Sequence, residues 1–209
     1  MTVLAPITLA GKHVKLVPLT PHHVPALVAA AAGDRSSYAW TFVPDGAEAM
    51  ALYVREALAL RDSGLALPFA TIDAATATVI GSTRYGNIEH WPWPEGNPNH
   101  RHVDAVEIGW TWLSAAAQRS PVNTEAKYLM MAHAFDTWAV HRLVLQTDER
   151  NDRSRRAIER IGARPEGILR ANRASSIGDV RITAVYSVVA SEWPLVKAAI
   201  EARMSELRP

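Results

Sequence analysis

The chain contains no cysteine. Disulfides, thiolate nucleophiles and Cys-based metal sites are excluded, and covalent catalysis would need another nucleophile. No apolar run is long enough to span a bilayer. The first ten residues lack the basic start and long apolar core of a signal peptide. A cytoplasmic protein with no membrane partner is expected. Excess charge is also missing: 22 Lys and Arg oppose 21 Asp and Glu, a formal net charge of +1. This balance argues against disorder and against a globally polyanionic partner such as nucleic acid. There is no internal repeat and no low-complexity linker.

What is present suits a compact body. The 209 residues are 48% hydrophobic, enough for a sizeable core in a single domain spanning 1–209. Charge is uneven along the chain: eight arginines fall between Arg150 and Arg173, against Asp152, Glu159 and Glu166. A helix–turn–helix reading of this segment is outweighed by the overall charge balance and by the strands that follow.

Periodicity gives a mixed α/β order. Residues 13–18 alternate as a strand, and a helix starts at Thr20-Pro21. Residues 34–46 are irregular and carry Tyr38 and Trp40. A helix over 47–61 sets Met50, Leu52, Val54, Leu58 and Leu60 on a broad face. Strands at 68–72 and 78–85 form a hairpin, and a proline-rich loop follows over 87–101. Residues 103–113 read as a strand. Strict alternation places Val106, Ile108, Trp110 and Trp112 on one face, and Ala105, Glu107, Gly109 and Thr111 on the other. A helix over 123–138, a strand over 142–147, a helix over 151–161, strands over 165–173 and 180–190, and a closing helix from Pro194 complete the chain.

The stretch 118–127, Gln-Arg-Ser-Pro-Val-Asn-Thr-Glu-Ala-Lys, runs from a strand into an amphipathic helix. Free backbone N–H groups at a helix N-terminus make an anion site, here suited to a phosphate-bearing cofactor. The plainer alternative is an ordinary helix start capped by Asn123 or Thr124.

Three motifs now resemble one family. They are Glu107-Ile-Gly-Trp-Thr-Trp-Leu113 leading into 118–127; Asn151-Asp-Arg-Ser154 with Ala157-Ile158 and Ile161-Gly162-Ala163; and Glu166-Gly-Ile-Leu-Arg170 followed by Tyr186-Ser187 and Glu192-Trp193-Pro194. In order and spacing they resemble the GCN5-related N-acetyltransferases (GNAT), in particular the ribosomal-protein-acetyltransferase-like branch. The resemblance implies a central mixed, mostly antiparallel twisted sheet of six to seven strands flanked by helices. It also implies an acetyl-CoA-dependent N-acyltransferase acting on a small-molecule or peptide amine by direct attack. Homodimers are common in that family. The loop departs from the family's Gln/Arg-x-x-Gly-x-Gly/Ala pattern, since Pro121 and Asn123 replace the two small residues. Proline has no N–H to donate, which shifts phosphate binding towards side chains. A non-catalytic acyl-CoA-binding protein on the same fold is the alternative.

The resemblance assigns roles by position. Trp112, Leu113 and Ser114 at the strand end, where the family's strand bulges and splays from its neighbour, would hold the cofactor arm. Arg119, Ser120, Val122, Asn123, Thr124 and Lys127 of the loop would bind its phosphate end, joined by Arg153 and Arg156 of the next helix, for which a solvated helix face is the competing role. Asn151 would hydrogen-bond the cofactor arm, with a helix cap as the competing role. Arg155 and Arg160 read as a solvated helix face. Glu107 is the candidate general base, with a structural carboxylate as the competing role. Ser154 is the candidate proton donor to the thiolate, with a helix-cap hydroxyl as the competing role. Tyr38, Trp40, Trp91 and Trp93 would wall the acceptor site. His90, His100 and His102 lack the further ligands of a metal site, and no metal is expected.

Overall fold

The computed structural model describes residues 4–206. In chain order the elements are β1 (Leu9–Ala10), β2 (Val14–Pro18), α1 (Val24–Ala31), α2 (Gly46–Asp62), β3 (Leu67–Asp73), β4 (Val79–Glu89), β5 (Ala105–Leu113) and α3 (Val122–Ala132). They continue with β6 (Arg142–Asp148), α4 (Asp152–Arg160), β7 (Arg164–Ala174), β8 (Val180–Val189) and α5 (Trp193–Glu206). The strands form one eight-stranded sheet in the order β1-β2-β3-β4-β5-β6-β8-β7. Every neighbouring pair is antiparallel except β5 and β6. The eighth strand, beyond the expected six to seven, is β1: two residues are too short to show alternation, and they pair with Leu16 and Lys15 of β2.

Helices cover both faces. Helix α2 buries Met50, Tyr53, Val54 and Ala57, a stripe of helical spacing. Leu52 and Leu60, expected on that face, are exposed because the stripe is centred one residue further round. Met50, Tyr53, Val54 and Ala57 form a core on one side of the sheet with α1, Tyr38, Ala70 and Trp112. The larger core lies on the other side, where α3, α4 and α5 contribute Met130, Ile158 and Ile200 against Tyr85, Ile108 and Leu143. Beyond Ala132, α3 widens into a π-helical turn over His133–Thr137.

The position of α3 is fixed from below. The buried Glu125 carboxylate accepts the backbone N–H groups of Lys12, His13 and Val14 at 2.8, 2.6 and 2.9 Å. Gly11 leaves room for this clasp, since a Cβ there would lie 2.4 Å from Glu125 Cδ. The start of α3 is thereby held against the sheet beside the end of β5.

Candidate functional site

Two local events at β5 make the site. The first is a bulge. Ser82 pairs with Trp112 but Arg84 pairs with Gly109, so Thr83 faces both Trp110 and Thr111. Trp110 takes a left-handed φ of 50°. The extra residue reverses the strand's parity beyond it. Thr111 joins the α3 face, where its Oγ1 lies 2.7 Å from Thr83 Oγ1. Trp112 turns to the α1–α2 face and packs edge-on against Tyr38, with ring centroids 6.4 Å apart. The strict alternation expected for 103–113 therefore holds only up to Ile108. The bulge is cushioned by Gly86, where a Cβ would come 2.4 Å from Trp110 Cζ3.

The second event is a splay. Strands β5 and β6 pair only through Ala105, Val106 and Glu107 with Arg142, Leu143 and Val144. Beyond that point β5 continues along β4 to Leu113, while β6 continues along β8 to Asp148. A cavity of about 1230 Å³ opens between them. That exceeds the ~300–1,000 Å³ usual for a drug-sized ligand. The segment 37–42, the start of α3, α4 and the β7–β8 hairpin close around it.

The end of the cavity next to α3 suits phosphates. Helix α3 begins at Val122 with Pro121 as its cap residue, where a missing N–H costs no helical hydrogen bond. Asn123 and Thr124 are thus inside the first turn and do not cap it with their side chains. Their N–H groups have no acceptor among the described residues. Arg119, at a left-handed φ of 60°, and Ser120 complete the turn. Arg156 and Arg160 of α4 are exposed and line the cavity, whereas Arg155, expected with Arg160 on a solvated helix face, is half-buried. Arg155 is spent on Tyr186 Oη at 3.1 Å and on the Glu149 carbonyl.

Other residues have structural partners. Asn151 caps α4, its Oδ1 accepting the Ser154 N–H at 3.0 Å. Ser154 itself lines the cavity. Arg153 donates to Gln118 Oε1 and to the Ser37 carbonyl, both at 2.8 Å. Gln118 and Tyr38 both donate to the Leu113 carbonyl at 3.0 Å. Tyr38 is therefore a buried strut and not the exposed aromatic suggested by its irregular surroundings. Trp40 lines the cavity beneath the Arg150 guanidinium, 4.2 Å from its ring centroid.

Lys127 is buried and points at β5, not at the phosphate end. Its Nζ donates to Thr111 Oγ1 at 2.6 Å. Burial pulls its pKa down to about 7, with Glu107 acting in the opposite direction. Glu107 sits at the splay point, 5% exposed, and accepts from Asn87 Nδ2 at 2.7 Å. Burial raises its pKa above the usual carboxylate value, opposed by Asn87, Arg173, Arg181 and Arg84. Gly109 gives its carboxylate space, since a Cβ there would lie 2.9 Å from Glu107 Oε1.

Four of the residues singled out in the sequence lie elsewhere. Ser114 turns out of the cleft, its N–H bonded to the Ile80 carbonyl at 2.7 Å. Val122 is buried in the larger core. Trp91 and Trp93 sit at the opposite end of the β5–β6 pair. The buried Asp104 carboxylate needs donors, and it draws in the Trp91 N–H at 2.7 Å and Trp93 Nε1 at 2.6 Å. His141 stacks on Trp91 at 5.5 Å. Conversely Thr111, Gln146, Arg173 and Arg181 line the cavity without having been singled out. The two arginines fall between the two halves of the third motif, and only the β7–β8 pairing sets them side by side at the cavity. Among the described residues no group of three His, Cys, Asp or Glu could hold a metal, and no helix is long and apolar enough to cross a membrane.

Comparison with known proteins agrees with this geometry. The acetyltransferase (GNAT) domain family model matches residues 13–164. A GCN5-related N-acetyltransferase from Brucella melitensis superposes with a TM-score of 0.82 at 30% identity, covering 100% of this chain and 88% of that one. An acetyltransferase structure from T. thermophilus gives 0.77 at 33% identity, covering 96% and 98%. Mycobacterium smegmatis RimJ, in complex with CoA-disulfide, shares the fold at 0.75 with 19% identity, covering 96% and 93%. No curated protein matches. With its splayed parallel pair, bulged β5 and open helix start, the chain belongs to the GCN5-related N-acetyltransferase family.

Proposed function

We propose that the protein is a single-domain, cytoplasmic N-acetyltransferase that moves an acetyl group from acetyl-CoA to a primary amine by direct attack. The observation that carries this is the splay of β5 from β6, which opens onto a helix start with free N–H groups. Such a start favours phosphate oxygens. The Asn123 and Thr124 N–H groups, Arg119, Ser120 and Arg156 would hold the pyrophosphate and 3′-phosphate. The pantetheine arm would follow β5 past Thr111, with the Asn123 side chain and Ser154 alongside. Bound there, acetyl-CoA supplies an activated thioester carbonyl near the splay point.

The chain's own groups then manage protons. A primary ammonium must lose one proton before attack and a second as the amide forms. One of these ends on the departing thiolate as the C–S bond breaks and the C–N bond forms, and the other goes to solvent. Glu107, at the splay point, is positioned to take the first, directly or through a water. Burial raises its pKa, the direction that makes a carboxylate a stronger base. The Ser154 hydroxyl, on the cofactor side, would serve the thiolate. The lack of cysteine removes a covalent cysteinyl route. Amine acceptors would enter over Trp40 and the β7–β8 hairpin.

Turnover tests the reading: acetyl-CoA with a panel of amines, followed by thiol release. Acetylation of at least one amine is expected. Binding of acetyl-CoA with no turnover on any amine would instead assign the non-catalytic acyl-CoA-binding role.

A further inference from the structure

The acceptor side of the cavity carries a cationic pair that the transfer chemistry does not use. Arg173 and Arg181 are cross-strand partners on β7 and β8, and both line the cavity. Like charges directly opposite on a sheet are destabilising. Among the described residues, neither has a carboxylate within 4.0 Å. Neutral groups steer them instead. Arg181 Nε donates to Thr183 Oγ1 at 3.0 Å, and Arg173 donates from Nε to Asn172 at 3.0 Å and from Nη2 to Gln146 Oε1 at 3.1 Å. The remaining N–H groups of the two guanidiniums have no acceptor among these residues, as a pair waiting for an anion would require.

Their surroundings deepen the imbalance. The pair β8–β6 brings Thr183 opposite Asp148, so Arg181 lies on the same face as Gln146 and Glu107. Arg84, on that face too, is 5% exposed, and its Nε and Nη1 lack hydrogen-bond partners. Its guanidinium lies 4.3 Å from the Trp110 ring centroid. Glu107 is the cavity's acid on this side; the other, Glu206, is on α5 across the sheet. A bare ammonium or a polyamine on this side would meet Arg173 and Arg181 against the single carboxylate of Glu107, with the buried Arg84 adding to the positive field behind them.

Resting on the acyltransferase reading, we propose that the acceptor is an amine bearing its own carboxylate, of the amino-acid type, with the carboxylate held by Arg173 and Arg181 and the amine directed at Glu107. Fixed anion binding positions the amine, and the surplus positive field helps it lose its proton.

The test pairs substrates that differ only in that charge. Initial rates with acetyl-CoA are measured for phenylalanine against phenylalaninamide and for glutamate against spermidine. Wild type is expected to favour the carboxylate-bearing member of each pair in kcat/KM. In Arg173→Gln/Arg181→Gln, or in either single variant if the double does not fold, that preference should fall roughly 10- to 100-fold, the range for losing a charged hydrogen-bond partner. Equal or better use of phenylalaninamide and spermidine by wild type overturns the proposal, as does an unaltered preference in the folded variants. Calorimetric binding of glutamate and spermidine in the presence of CoA needs no turnover. Arginine-dependent glutamate binding without acetylation of any amine would sustain the anion site and remove the transferase reading. No glutamate binding and no carboxylate preference would remove the anion site.

Discussion

Replacing Lys127 with methionine should change how stability depends on pH. Lys127 is 7% exposed, its Nζ bonded to the Thr111 hydroxyl and paired with no carboxylate within 4.0 Å among the described residues. Its pKa falls from 10.5 to about 7 because burial penalises the ammonium. Between those two values the unfolded chain holds a proton that the folded chain has released. Stability therefore rises with pH across that window. Below about 7 both states are protonated and the full penalty applies, on the order of 5 kcal/mol at about 1.4 kcal/mol per pH unit. From pH 6 to pH 9 the wild type should recover about 3 kcal/mol of this relative to Lys127→Met. The methionine fills much of the same space and carries no charge, so the variant lacks this dependence. Urea denaturation of both proteins at pH 6, 7, 8 and 9 gives the difference curve, in which titrations common to both cancel. A difference that stays flat to within about 1 kcal/mol would show that Lys127 keeps its charge when folded, through water or an anion reaching it.

Glu107→Gln should lower kcat by about 10²- to 10⁴-fold, the range for a positioned general base. It should leave the calorimetric affinity for acetyl-CoA within about threefold, and a loss of affinity equal to the loss of kcat would make Glu107 structural. In the wild type, kcat should rise with pH through the elevated Glu107 pKa, because only the carboxylate accepts a proton; this limb should vanish in the variant. Asn151→Ala removes the α4 cap and should cost about 1 kcal/mol, a fall of about 2–4 °C in Tm by calorimetry; no change would show that the 3.0 Å bond contributes nothing. Gly86→Ala drives a methyl into Trp110 and should cost about 1–3 kcal/mol, with an altered near-ultraviolet tryptophan signal. An unaltered signal with full stability would mean that the bulge adjusts freely.

Much of the sheet was legible because its strands are bounded by turn residues and its helices carry regular apolar stripes. The motifs at 107–127 and 151–163 located the cleft, since the residues that build it are nearly contiguous. Side-chain direction near the bulge was not legible from alternation. A single left-handed residue, Trp110, reverses parity, and Gly109-Trp110 does not announce it. Trp91 and Trp93 misled because a loop rich in tryptophan and proline reads alike whether it walls a site or satisfies a buried carboxylate. The buried Asp104 decides for the second, and its burial depends on packing distant in sequence. Lys127 reads as a phosphate ligand from its place after the loop, but helical phase turns it under β5 to Thr111. Arg173 and Arg181 become neighbours of Glu107 only through the β6–β8–β7 pairing.

The most direct measurement is calorimetric titration of acetyl-CoA into the wild type and into Asn123→Asp, which sets a carboxylate at the first turn of α3 where the phosphates would lie. Saturable one-to-one binding to the wild type is expected, weakened about tenfold or more in the variant by charge repulsion at the helix start. No heat of binding to the wild type at millimolar acetyl-CoA, or equal affinity for both proteins, would contradict a CoA site built from the β5–β6 splay and the N-terminus of α3.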